Sequence, residues 1–72
     1  MSNAKGAVLK RSVKLLGRNT SVSLEEPFWR ALRAIAKRRQ MSSAALIEAI
    51  NADRREANLS SATRVYVLEY YQ

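Results

Sequence analysis

The 72-residue sequence has no cysteine and no histidine. The first absence excludes disulfides, and the two together leave no thiolate or imidazole ligand for a metal. No apolar run approaches the roughly 20 residues a membrane-spanning helix needs. No apolar segment follows the N-terminal positive charges as it would in a secretion signal. These absences imply a cytoplasmic protein without metal, cofactor or membrane attachment. No nucleophile–base pair is present either, so enzymatic activity is not expected. Cores of this size are marginal and usually lean on disulfides, metal or oligomerisation. With the first two excluded, oligomerisation remains, and the C2 dimer is its commonest form.

What is present is positive charge, unevenly placed. The net charge is +7. Ten of the thirteen Lys/Arg fall in residues 1–40 against Glu25 and Glu26, and three fall in residues 41–72 against four carboxylates. A basic half joined to a near-neutral half points to one end that faces a polyanion and another that packs. A merely solubilising surface is the competing reading of the same charges.

Residues 1–9 read as a tail and 10–72 as one domain. From Lys10 to Leu16 and again from Thr20 to Leu24, polar and apolar residues alternate with the period of a strand. A hairpin over 10–24 with a Gly17-Arg18 loop suits a type II′ turn. It sets Leu15 opposite Thr20, Val13 opposite Val22 and Ser12 opposite Ser23, so that apolar meets apolar. Ser12, Lys14, Ser21 and Ser23 then face solvent, with Arg18 at the tip. A flexible basic arm before a single strand is the alternative. Glu25-Glu26-Pro27 marks a helix start, with proline at the first turn and carboxylates at the positive end of the dipole. Phe28, Leu32 and Ile35 give the apolar stripe of a helix over 26–39, and Arg30, Arg33 and Lys37 run along another face. Ser42 is a suitable N-cap for a helix over 43–55 that buries Leu46, Ile47 and Ile50. The N–H groups around Ser42 and Ser43 could also receive an anion. Asn58-Leu59-Ser60-Ser61 offers a cap for a third helix over 59–71, although Val65-Tyr66-Val67-Leu68 favours strand by propensity.

The run Arg11-Ser12-Val13 through Arg18-Asn19-Thr20-Ser21-Val22-Ser23-Leu24-Glu25-Glu26-Pro27-Phe28-Trp29, with Asn58-Leu59-Ser60-Ser61-Ala62, Arg64-Val65 and Val67-Leu68 near the end, resembles a small bacterial branch of the ribbon–helix–helix superfamily. That superfamily includes the Arc and MetJ repressors. The resemblance implies a mostly α fold with a short β-ribbon, an intertwined homodimer and, in this branch, an additional C-terminal helix. It implies a sequence-specific transcriptional regulator, such as a repressor, whose intermolecular antiparallel ribbon enters the major groove of double-stranded DNA. Carried onto this chain, Ser21 and Ser23 face base edges, and Ser42 and Ser43 hold a phosphate. Lys10, Arg11, Ser12, Lys14, Arg18 and Asn19 complete the DNA-facing set. Val22, Leu24, Phe28, Leu32, Ile35, Leu46, Ile47 and Ile50 form the dimer core. Gln40-Met41 stands where the family usually places a glycine between helices. A rival reading is a protein-interaction module, antitoxin-like or an adaptor, whose C-terminal helix docks a partner.

Overall fold

The computed structural model describes residues 7–55 and 57–72; the first six residues of the expected tail, and Glu56, lie outside the described residues. The order is β1 (Val8–Leu15), β2 (Arg18–Glu25), α1 (Glu26–Arg38), α2 (Ser43–Asp53) and α3 (Leu59–Tyr70), with one two-stranded sheet. The fold is mostly helical with a short antiparallel ribbon. The upstream segment is therefore a strand rather than a flexible arm, and it begins at Val8, inside the expected tail. The C-terminal segment is helix, not strand.

The hairpin turns one position earlier than its turn-forming residues suggested. Leu15 pairs with Arg18, so the loop is Leu16-Gly17 and not Gly17-Arg18. Both loop residues have positive φ, 51° and 82°, the signature of a type I′ turn, whose twist matches that of the flanking strands. Leucine is a poor residue for a left-handed position, which is why residue preference alone missed this turn. The Leu16 N–H donates to Glu48 Oε2 at 3.1 Å and ties the turn to α2. Nothing lies within 4 Å of where a Gly17 Cβ would sit, so backbone conformation and not space favours glycine there. The register moves by two residues, giving Val13 opposite Thr20, Ser12 opposite Ser21 and Arg11 opposite Val22. A shift of two keeps each side chain on its expected face, because the strand period is two.

α1 starts at Glu26 with Pro27 in the first turn, where its missing N–H costs nothing. It ends by a Schellman arrangement, with Met41 N–H on Ala36 O at 2.9 Å and Gln40 N–H on Lys37 O at 3.0 Å. Gln40 takes the left-handed position, φ 58°, that explains the expected glycine. Ser42 Oγ accepts the Ala45 N–H at 3.0 Å and starts α2. Asn58 Oδ1 accepts the Ser61 N–H at 2.8 Å and starts α3.

Val22, Leu24, Leu32, Ile35, Leu46, Ile47 and Ile50 are buried, with Phe28 packed half-buried against them. All of them close within a single chain, because β1 and α3 supply cover that a bare strand and two helices would lack. Leu15, Trp29, Leu59, Ala62 and Val67 complete this core. Thr63 is fully buried, and its hydroxyl donates to Leu59 O at 2.8 Å, so no polar group is stranded there.

The left-handed Gln40 gives a direct test. Glycine removes a Cβ penalty of about 1–2 kcal/mol and adds about 0.5–1 kcal/mol of backbone entropy cost. Gln40→Gly is expected to raise the urea midpoint slightly with an unchanged slope, and a lower midpoint would show that the glutamine side chain stabilises the turn.

Candidate nucleic-acid interface

The ribbon has two unlike faces. Its inner face presents Leu9, Val13, Leu15, Val22 and Leu24 to the helices. The outer face carries Lys10, Ser12 and Lys14 from β1, beside Asn19, Ser21 and Ser23 from β2. Of these, Lys10, Ser12, Lys14, Asn19 and Ser21 are exposed, and Ser23 is half-buried. The structure thus brings six of the ten expected contact residues onto one polar surface. Arg11 lies on the other face, where its guanidinium sits 5.3 Å from the centre of the Trp29 ring. Arg18 is exposed beside the turn, opposite Leu15 and so off the outer face.

Trp29 is buried to 3% exposure and donates its indole N–H to Leu9 O at 2.9 Å, fixing α1 beneath β1. A cleft of about 260 Å³ opens beside it, lined by Arg11, Ser12, Val13, Lys14, Trp29, Arg33, Ser43, Ala44 and Ile47. This cleft joins the ribbon to the start of α2. Ser42 spends its hydroxyl on capping, while Ser43 and Ala44 have first-turn N–H groups with no intrahelical acceptor. Arg33 was absent from the expected contact set. Its spacing with Arg30 and Lys37 was the available signal, and only packing distinguishes it from its neighbours on that stripe.

The opposite side of the ribbon is held by Arg64. Its Nε donates to Glu25 Oε1 at 2.9 Å, and its Nη2 donates to Glu25 Oε2 at 3.3 Å and to Ser23 O at 3.1 Å. The guanidinium also lies 5.9 Å from the Phe28 ring centre. Ser60 Oγ accepts the Ser23 N–H at 3.0 Å. Ser23 therefore has both main-chain groups engaged by α3. The Glu25 side chain makes no cap on α1. It turns to Arg64, whose hydrogen bond, followed by that of its own backbone N–H, holds its carboxyl below the usual carboxylate range; partial desolvation works the other way. Glu26 alone serves the first turn, 3.5 Å from Arg33 and 3.9 Å from Arg30. These are exposed pairs of small energetic weight.

At the far end of α1, Arg39 donates to the Tyr66 hydroxyl at 2.7 Å. The neighbouring Tyr70 raises the already high pKa of the Arg38 guanidinium. The Arg39 bond ties α1 to α3. Residues 8–71 match the family described as the ribbon–helix–helix domain. The chain belongs to the ribbon–helix–helix family. Proteins with this ribbon–helix–helix domain are commonly DNA-binding regulators that act as dimers. Among solved structures, the chain is similar to an uncharacterized protein from Bordetella pertussis Tohama I, with 38% identity and a TM-score of 0.82. That likeness covers 99% of this chain and 61% of the other, so this ribbon–helix–helix chain spans about three-fifths of that protein's length. No curated protein matches the chain. Among the described residues there is no acidic cluster that could hold a metal, and no helix is long and apolar enough to cross a membrane.

The Glu25–Arg64 pair predicts a pH effect with a defined sign. A carboxyl with a depressed folded pKa stabilises the fold above its unfolded value, about 4.3. That contribution is lost as pH falls through the lower folded value. Thermal unfolding between pH 6 and pH 2 should therefore show a steeper acid decline in the wild type than in Arg64→Met; parallel declines would mean that the pair is not coupled to folding.

Proposed function

We propose that this chain is a sequence-specific regulator of transcription that binds double-stranded DNA in the cytoplasm as a homodimer, with the outer face of its ribbon turned to the major groove. One observation carries the reading. The inner face of the ribbon is spent on the core, whereas the side chains of Lys10, Ser12, Lys14, Asn19 and Ser21 are exposed and bonded to nothing else among the described residues. A hydroxyl, an amide and ammonium groups on a two-stranded ribbon are suited to hydrogen-bond base edges in a groove about 12 Å wide. Lys10 and Lys14, with Arg11 and Arg33 around the neighbouring cleft, supply positive charge for phosphates. Ser43 and Ala44 add N–H groups at the positive end of α2. Short serines at Ser21 and Ser23 reach less far than Lys14 or Asn19, so the longer side chains carry most of the direct readout. Ser42 supports this site by capping α2.

A second reading, a protein-docking module, draws on the end of α3. Leu68, Tyr70 and Tyr71 are 55%, 38% and 54% exposed, and the two tyrosine rings meet edge to face at 5.1 Å. Exposed aromatics of this kind are common anchors in protein interfaces.

Titration with a duplex at several salt concentrations tests the DNA reading. Affinity should fall steeply with salt, and Lys14→Ala should reduce the slope of log K against log salt by about one. Its circular dichroism should match the wild type, because Lys14 is exposed. Salt-independent binding, or an unchanged slope and affinity in Lys14→Ala, would count against the proposal.

A further inference from the structure

Folding joins two clusters that lie far apart in the chain. Lys37, Arg38 and Arg39 end α1, and Tyr66, Tyr70 and Tyr71 lie in the last turns of α3 and its cap. Arg39 Nη1 donates to the Tyr66 hydroxyl at 2.7 Å, and Arg38 lies beside Tyr70. The tyrosine rings form a row that runs outward from the protein. Tyr66 is half-buried, the Tyr70 ring centre is 6.3 Å from it, and Tyr71 meets Tyr70 edge to face. An edge-to-face contact covers one face of one ring, so this exposed pair keeps open ring faces. Lys37 and Arg38 are exposed as well, and α3 carries a single carboxylate, Glu69. None of these groups belongs to the ribbon. The 13 residues of α1 set its basic end about 20 Å from the end of β2.

We infer that this end of the molecule is a second nucleic-acid site, one that takes a single strand, with bases stacked on Tyr70 and Tyr71 and phosphates at Lys37 and Arg38. It goes beyond the duplex-binding reading and does not depend on it. Stacking on a side chain requires an unpaired, unstacked base, because within a duplex the neighbouring bases cover its faces. The cations decide against an apolar protein partner, which would take Lys37 and Arg38 out of water with nothing to neutralise them. A strand neutralises them and releases its counterions. Arg39 has a different task, since its bond to Tyr66 fixes the innermost ring of the row. Ring faces and phosphates belong to DNA and RNA strands alike, so both are ligands by this chemistry.

Fluorescence anisotropy with labelled oligo(dT) and oligo(U) of equal length tests the site. Both are expected to bind at low salt. Tyr71→Ala should weaken that binding about tenfold, and Tyr71→Phe, which keeps the ring, should bind as the wild type does. Lys37→Ala should lower the slope of log K against log salt by about 0.7. Both positions are exposed, so the circular dichroism of each variant should match the wild type. Binding of one oligonucleotide alone assigns the site to that kind of strand, and binding of neither overturns the inference. Unchanged affinity in Tyr71→Ala, the result expected if the patch takes a protein instead, also overturns it, as does an unchanged slope in Lys37→Ala. So does a loss of strand binding in Lys14→Ala as large as that in Tyr71→Ala, because the strand would then lie on the ribbon. Duplex affinity keeps the two readings apart: Lys14→Ala lowers it if the ribbon reading holds, and Tyr71→Ala leaves it unchanged.

Discussion

A strand next to a helix bundle must find partners for its main-chain groups, and in this chain the way β2 finds them organises everything else. One edge is satisfied by β1 along eight residue pairs. The other is met at Ser23 by two side chains of α3, with the Arg64 guanidinium bridging Ser23 O and the Glu25 carboxylate. Both solutions come from segments outside the strand–helix–helix unit itself. The extra strand and the extra helix are thus what allow the apolar face of β2 to be buried inside one protomer.

The same arrangement separates the charges by task. Arg64 and Arg39 are bound to groups of the protein, Glu25, Ser23 and the Tyr66 hydroxyl of α3, and Arg38 lies beside Tyr70. Arg11 is placed against the Trp29 ring. Lys10 and Lys14 stay on the exposed face of the ribbon. Net charge alone would weigh all these residues equally as polyanion contacts. Their surroundings divide them into cations that hold helices in place and cations available to a duplex.

Two left-handed residues, Leu16 and Gln40, sit at the two tight turns of the N-terminal part. Each is stabilised from outside its own conformational preference, Leu16 by the Glu48 carboxylate and Gln40 by the Schellman hydrogen bonds of α1. At both places the surrounding fold overrides the local cost, as expected when tertiary contacts over-determine a turn. Both also mark limits of reading by residue type, since the first misplaced the hairpin loop and the second explains a missing glycine.

The alternation of β2, the apolar stripe of α1 and the caps at Ser42 and Asn58 were readable because each depends on residues within a few positions of one another. They were enough to give element order, the split between inner and outer ribbon faces and the buried positions of α1 and α2. The two-residue register shift did no harm to that split, because side chains in a strand repeat every second residue. Other features depend on distance along the chain and were beyond local pattern. Arg64 meets Glu25 across 39 residues, and Ser60 meets Ser23 across 37. The cleft that joins Arg11, Arg33 and Ser43 draws on three separate elements. Helical and strand periodicity say which face of an element is apolar, not which other element will cover it. That choice is made by packing, and here packing set α3 against β2 at Ser23.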